Sequence, residues 1–192
     1  MLRISPELHR NLQLAAEQKQ LSLNQYCTRQ LSTGYYLHTT TVSDRPYGIS
    51  VSLLKDLFVK AGLPVIAGLV FGSVSRGDAT NSSDLDLLFV LATNQVPTRE
   101  HYAQWDKLVM PTVRSWSGWE IAPQFVALPS AWEQAGSLWF EVAVEGKMLW
   151  EDDPSVSKFL LQIRQAMAEG KLVRKSSHGH PYWIREGGSD EK

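Results

Sequence analysis

Residues 68–90 read GLVFGSVSRGDATNSSDLDLLFV, two apolar runs separated by a polar loop that contains glycine. Residues 64–71 and Leu85–Leu91 are continuous apolar segments of strand length, which is typical of central strands covered on both faces. The first run ends in Gly72 and Ser73, where small residues let the backbone approach a ligand closely. We therefore expect a strand–turn–strand frame whose turn faces a ligand.

The polar groups around this turn suit phosphate and a cation. A short helix opening after Gly72-Ser73 would direct free backbone N–H groups at the turn, an arrangement that favours phosphate. Asp84 and Asp86 follow at the start of the next strand, one residue apart, so both carboxylates project from one face, ~6.6 Å apart along the backbone. Such a pair repels itself unless a cation lies between, and Mg²⁺ commonly takes one or two carboxylates plus substrate phosphates.

The whole stretch resembles the signature of the DNA polymerase β-like nucleotidyltransferases, and in particular their minimal branch. That signature is a hydrophobic strand, Gly-Ser, two residues, Arg-Gly, a spacer, and Ser-Asp-x-Asp. It is matched here by Gly72, Ser73, Arg76, Gly77, Ser83, Asp84 and Asp86. The resemblance runs over roughly residues 49–150. It implies transfer of a nucleoside monophosphate from a triphosphate to a hydroxyl, with pyrophosphate leaving.

The resemblance also assigns roles to individual residues. Gly72 and Ser73 would hold the triphosphate, ATP or another nucleoside triphosphate. Asp84 and Asp86 would be the catalytic carboxylates that hold Mg²⁺. Arg76 would either contact phosphate or brace the turn by pairing with an acid.

One departure from the family concerns a third carboxylate, which normally projects from the next core strand and helps to activate the acceptor hydroxyl. The corresponding strand is predicted over residues 121–128, and the expected acid position is Gln124. An amide oxygen can ligate a cation but cannot take a proton. Glu120 lies ~13 Å away along an extended strand and would substitute only if Pro123 bulged it. Whether the chain is an active enzyme therefore stays open.

The first 34 residues contain the start signals of a strand–helix–turn–helix unit. Leu2 and Ile4 alternate with a polar residue, a very short strand signal. Ser5-Pro6 offers an N-cap followed by proline at the first helical position. Ser22 and Gln25 have the spacing of a capping box, so a second helix should begin at Ser22.

This unit resembles the ribbon–helix–helix module of HicB-like antitoxins. In that fold two chains pair their strands into a ribbon that enters the DNA major groove. The resemblance implies a homodimer through residues 1–34, with Arg3 reading bases of an operator and Ser22 and Asn24 gripping phosphate. A dimerisation unit without DNA specificity is the alternative.

Composition bounds the class of protein. The 192 residues carry 19 Lys and Arg against 20 Asp and Glu, a formal net charge of −1, which excludes a histone-like polycation. The single cysteine, Cys27, excludes an intramolecular disulfide framework. No apolar run approaches the ~18–20 residues needed to cross a bilayer. These features predict a soluble, cytoplasmic protein, with no membrane as a partner.

The fold class expected is α/β, a nucleotidyltransferase-type mixed sheet flanked by helices and preceded by the ribbon–helix–helix module. We assign residues 1–34 to that module, 35–48 to a linker, 49–150 to the nucleotidyltransferase domain, and 151–192 to a C-terminal helix and a basic aromatic tail. Helices are predicted over residues 49–60 and 98–116, after a capping box at Ser130, and after Asp153. Their expected core residues include Leu53, Leu54, Leu57, Phe58, Tyr102, Trp105, Val109, Val113, Trp116, Val156, Phe159, Leu160, Ile163 and Met167.

Two functions from different classes fit these observations. The first is a Mg²⁺-dependent nucleotidyltransferase in a toxin–antitoxin-type or regulatory system, acting on a hydroxyl of a partner protein such as a toxin. The second is a non-catalytic, dimeric DNA-binding regulator or antitoxin that uses the nucleotidyltransferase fold to bind nucleotide or a partner. Asp84 and Asp86 favour the first function, and Gln124 favours the second.

Overall fold

The computed structural model describes residues 6–18, 22–23, 25, 46–80, 82–177 and 180–186. The chain divides into two compact units, Met1–Ser43 and Asp44–Lys192.

The N-terminal unit contains the predicted first helix, α1 (Pro6–Gln18). The predicted capping box is also present. The Ser22 Oγ accepts the backbone N–H of Gln25 at 3.2 Å, and the Gln25 Oε1 accepts the backbone N–H of Ser22 at 3.0 Å. Because Leu23 and Gln25 are helical, the start of the second helix is confirmed. The predicted strand around Arg3 and the position of Asn24 lie outside the described residues.

The larger unit is built on a four-stranded mixed sheet. Its strands are β1 (Val65–Phe71), β2 (Leu85–Leu91), β3 (Ile121–Val126) and β4 (Lys147–Glu151), in the order β3-β2-β1-β4. Strand β1 is antiparallel to both β2 and β4, whereas β2 and β3 are parallel. The predicted mixed α/β sheet is confirmed.

Helices connect these strands and cover the sheet. They are α2 (Val51–Ala61), α3 (Gly72–Arg76), α4 (Arg99–Gln104), α5 (Met110–Ser117), α6 (Ser137–Glu145) and α7 (Ser155–Ala168). A π-helical turn (Trp105–Val109) joins α4 to α5, and 3-10 turns occupy Pro46–Gly48 and Trp132–Gln134. A hairpin of β5 (Leu172–Ser177) and β6 (His180–Arg185) follows α7.

Both faces of the central strands are buried, as their continuous apolar sequences predict. On one face, Leu69 and Leu88 belong to a cluster with α6 and α7, including Phe140 and Phe159. On the other face, Leu87 and Phe89 pack in a cluster with α2 and the 99–117 helical segment, including Phe58 and Trp105. The alternation along β2 sends Asp86 to the same face as Leu88, toward α6.

Among the expected core residues whose side chains the structure describes, two are exposed; the side chain of Trp116 lies outside that described set. Leu53 is 44% exposed because α2 buries a narrower stripe of Leu54, Phe58 and Ala61. Tyr102 is 39% exposed, and its hydroxyl accepts the backbone N–H of Phe125 at 3.3 Å. In the sheet formed by the described residues, β3 is an edge strand beside β2, and the Tyr102 hydroxyl accepts one of its backbone N–H groups.

Two further differences lie in the C-terminal half. Ser130 precedes the short 3-10 turn Trp132–Gln134 and not an α-helix. Its Oγ donates to the Gln134 Oε1 at 2.8 Å, and the next α-helix begins at Ser137. The basic aromatic tail is a hairpin, and Trp183 of this hairpin packs on Phe140, with ring centroids 5.7 Å apart. None of the helices in the described ranges is long and apolar enough to span a membrane.

The contact of the Trp150 ring with Gly68, its partner across the strand pair, generates the first prediction. A Cβ on Gly68 of β1 would lie 2.0 Å from Cζ3 of Trp150 on β4. Gly68→Ala should therefore destabilise the protein by about 1–3 kcal/mol through overpacking, measured by urea unfolding. In a Trp150→Leu background, which removes the clashing ring, the cost should fall by about 1 kcal/mol or more. An equal cost in both backgrounds would contradict this packing.

Candidate nucleotide and metal site

Strand β1 passes directly into the short helix α3 at Gly72, and we call residues 71–76 the Gly72 turn. Its shape depends on the contact of Gly72 with Asp86. Gly72 has φ +73°, and a Cβ placed on it would lie 2.1 Å from the Asp86 Oδ2. The register explains the contact, because Phe71 at the end of β1 pairs with Asp86 on β2. Only glycine satisfies both the left-handed backbone and the approaching carboxylate.

The two predicted metal carboxylates lie at this turn. Asp86 is the second residue of β2, and Asp84 is exposed just before the strand. Partial burial raises the pKa of Asp86, the charges of Asp84 and Glu145 raise it further, and Arg76 opposes this effect. The protein therefore holds a partly desolvated carboxylate in a negative environment.

The carboxylates of Asp84 and Asp86 suit a cation whose other ligands are water and substrate phosphates. Among the described residues, no group of three or more His, Cys, Asp or Glu side chains is arranged to hold a metal. Mg²⁺ does not require such a group, since it usually keeps several waters and binds one or two carboxylates plus substrate phosphates. Asp84 and Asp86 can supply that partial set.

Sequence reasoning missed Glu145, the last residue of α6. Its Oε1 accepts the backbone N–H of Gly72 at 3.1 Å, and its two oxygens accept Nη1 of Arg76 at 2.9 and 3.0 Å. Its backbone carbonyl also accepts the Ser75 hydroxyl. These contacts join residues 69 to 73 positions apart in the sequence, so no local pattern could have revealed them.

Arg76 pairs with acids within the chain. Besides Glu145, its Nε donates to the Asp78 Oδ2 at 3.0 Å. The hydrogen bonds to Asp78 and Glu145 raise the pKa of Arg76 well above its ordinary value. Of the two roles expected for Arg76, the contacts in the structure are those of a brace for the turn.

The register of β3 shows that Gln124, the position expected for the third acid, does not lie directly beside Asp86. Asp86 pairs with Ala122, whereas Gln124 pairs with Leu88, and the ladder runs through Pro123 without a bulge. Gln124 is thus ~6.6 Å farther along the strand than the residue beside Asp86.

Glu120 precedes β3 at the end of the sheet where Asp84 precedes β2. Its carbonyl accepts the backbone N–H of Leu85 at 2.8 Å, and its carboxylate pairs with Arg114 at 3.1 Å. The position beside Asp86 is therefore occupied by Ala122 and carries no acid.

A matched glycine pair tests the site geometry. Gly72 and Gly77 both have positive φ, +73° and +85°, but a Cβ on Gly77 meets nothing within 4 Å. Each change to alanine should cost about 1–2 kcal/mol of backbone strain, and Gly72→Ala should cost more because it displaces the Asp86 carboxylate. Thermal unfolding would measure the excess, which should shrink in an Asp86→Ala background. Equal costs for the two glycines would contradict the contact.

Comparisons with known proteins place two segments of the chain in families. Residues 53–114 match the nucleotidyltransferase domain family, and residues 1–31 match the HicB family. No curated protein matches the chain.

Solved structures similar to the chain include three complexes. A toxin–antitoxin with AMP-PNP is 16% identical, with 64% of this chain and 90% of that chain covered, at TM-score 0.44. A mutant MntA–HpeT toxin–antitoxin is 18% identical, with 64% and 89% covered, at TM-score 0.44. The tri-AMPylated Shewanella oneidensis HEPN toxin in complex with MNT antitoxin is 16% identical, with 62% and 85% covered, at TM-score 0.40.

The match to the nucleotidyltransferase domain family, over residues 53–114, contains the Gly72 turn and both carboxylates of the site. The match to the HicB family, over residues 1–31, contains α1 and the capping box at Ser22.

Proposed function

We propose that the chain is a Mg²⁺-dependent nucleotidyltransferase that binds ATP or another nucleoside triphosphate at the Gly72 turn. The observation that carries the proposal is the Asp86 carboxylate, partly buried against Gly72 and raised in pKa by burial and by Asp84. Asp84 and Asp86 would hold Mg²⁺, and the triphosphate would lie against Gly72 and Ser73.

The proposed chemistry is mainly positioning and charge neutralisation. When bound, Mg²⁺ supplies positive charge for the triphosphate and for the departing pyrophosphate. Asp84 and Asp86 orient the cation, and the α3 turn fixes where the phosphates lie. A hydroxyl of a partner protein would attack the α-phosphorus, forming a new O–P bond as the bond to the leaving pyrophosphate breaks. The proton of the hydroxyl would pass to solvent water.

A second function is favoured by one observation, the absence of an acid beside Asp86 on β3. Ala122 occupies that position, so β3 supplies no base there for the acceptor hydroxyl. On this alternative the nucleotidyltransferase domain binds nucleotide or a partner without turnover, and the chain acts as a dimeric DNA-binding regulator.

The N-terminal segment supports a role in a toxin–antitoxin system. Its match to the HicB family and the capping box at Ser22 fit a ribbon–helix–helix unit over residues 1–34. We propose that this unit forms the homodimer and binds an operator, with Arg3 reading bases and Ser22 and Asn24 contacting phosphate. The nucleotidyltransferase domain would then act on, or bind, a partner toxin.

Asp86→Asn tests the metal site through two measurements, the Tm without metal and the rise in Tm on adding Mg²⁺ and ATP. The substitution should increase the first and abolish the second. A raised pKa means that folding favours the protonated carboxyl, so the ionised form destabilises the folded protein above that pKa. Without metal at pH 7, Asp86→Asn should therefore raise the Tm, and the gain should fade as the pH drops through the pKa of Asp86. Adding Mg²⁺ and ATP should raise the Tm of the wild type and not that of the variant. Equal stabilisation of both proteins by Mg²⁺ and ATP would refute the site.

The register of β3 predicts where a third acid would act. Neighbouring strands lie ~4.8 Å apart, so Ala122→Asp would place a carboxylate beside Asp86, whereas Gln124→Asp would place it beside Leu88. Transfer of labelled monophosphate to a supplied partner should rise more with Ala122→Asp. A larger gain from Gln124→Asp would show that the acceptor binds farther along β3.

Removal of the N-terminal unit tests the dimer. The full chain should be dimeric by light scattering, and the chain lacking residues 1–43 should be monomeric while still binding Mg²⁺ and ATP. In the full chain, Arg3→Ala should weaken preference for the operator more than total affinity. A full chain that stays monomeric at high concentration would contradict the ribbon–helix–helix assignment.

A further inference from the structure

Glu145 is a nearly buried carboxylate at the nucleotide-binding turn. Its side chain is only 10% exposed. A buried charge is costly unless it is paired and hydrogen-bonded, and both carboxylate oxygens of Glu145 are satisfied by Arg76 and Gly72. The hydrogen bonds of Glu145 to Gly72 and Arg76 therefore require the Gly72 turn to keep its present shape.

Gly72 is fixed from two sides. Its N–H donates to Glu145, and the space where its Cβ would lie is filled by the Asp86 carboxylate. A shift of the turn would thus break the contact with Glu145 and also change the surroundings of Asp86. Through Gly72, the end of α6 is mechanically linked to the carboxylate proposed to hold Mg²⁺.

Two of the three guanidinium nitrogens of Arg76, Nε and Nη1, donate to protein acids. Nη1 contacts both oxygens of Glu145, and Nε contacts Asp78. The Ser75 hydroxyl adds a third tie, since it donates to the Glu145 carbonyl. Gly72, Ser75 and Arg76 of the Gly72 turn therefore all hydrogen-bond to Glu145 at the end of α6.

We propose that Glu145 is a positioning residue for the triphosphate, which holds the Gly72 turn in its binding shape through the backbone N–H of Gly72 and the Arg76 guanidinium. Arg76 acts on the turn through this pair. The inference rests on the proposed function, because it assigns a residue to the same nucleotide site.

Glu141 provides a matched control on the same helix, one turn earlier. It also pairs with an arginine, Arg174, at 2.9 Å, and accepts the Trp183 Nε1–H at 2.8 Å, but its partners belong to the hairpin. Glu141→Gln and Glu145→Gln each weaken a partly or largely buried pair. Only Glu145→Gln should change the nucleotide site.

The experiment is calorimetric titration of the full chain with Mg²⁺ and a non-hydrolysable ATP analogue, alongside thermal unfolding. Glu145→Gln should weaken nucleotide affinity by about tenfold or more, with Glu141→Gln within about twofold of the wild type. Glu145→Asp, which keeps the charge, should recover part of the affinity. Tighter binding by Glu145→Gln would overturn the inference, since the carboxylate would then be competing with phosphate. Equal losses in the Glu145 and Glu141 variants would also overturn it, because the effect would be general stability.

A ligand-free measurement separates this inference from the proposed function. If the wild type binds no nucleotide, the proposed function fails, and the positioning claim is decided by hydrogen exchange at the Gly72 amide. That exchange should be slow in the wild type and in Glu141→Gln, and about tenfold or more faster in Glu145→Gln. Unchanged exchange in Glu145→Gln would overturn the inference.

Discussion

The approach of the Asp86 carboxylate to Gly72 constrains the rest of the site. It requires the pairing of Phe71 with Asp86, a glycine with positive φ, and a turn that leaves β1 at once. Because the carboxylate fills the space of a missing Cβ, the strand register and the position of the Asp86 carboxylate cannot vary independently. The site is thus a property of the sheet as well as of the loop.

Much of the sheet could be predicted because its central strands are continuous apolar runs. Strands β1 and β2 are buried on both faces, and such runs leave little ambiguity. Strand β4 was not predicted, since Lys147–Glu151 is short, begins and ends with a charged residue, and lies at the sheet edge. The hairpin was missed for a related reason, because β5 is polar beyond Val173 and becomes ordered by pairing with β6.

The candidate site divides in the same way. Gly72, Asp84 and Asp86 are close in sequence, so a local motif predicts them. Glu145 joins the site only through the packing of α6 on the sheet, and the residue beside Asp86 on β3 depends on a register that periodicity cannot supply. With Ala122 in that position, β3 supplies no acid beside Asp86 for the acceptor hydroxyl, whereas both carboxylates proposed to bind the cation are present.

The central claim is that a divalent cation and a nucleoside triphosphate share the Gly72 turn. Paramagnetic broadening of amide signals by Mn²⁺, with a non-hydrolysable ATP analogue present, reports where the cation lies in the folded chain. The account predicts the strongest broadening at Gly72, Asp86 and Ala122, with weaker broadening in the β5–β6 hairpin. Broadening centred on the hairpin or elsewhere, with the Gly72 and Asp86 signals unchanged, would contradict it.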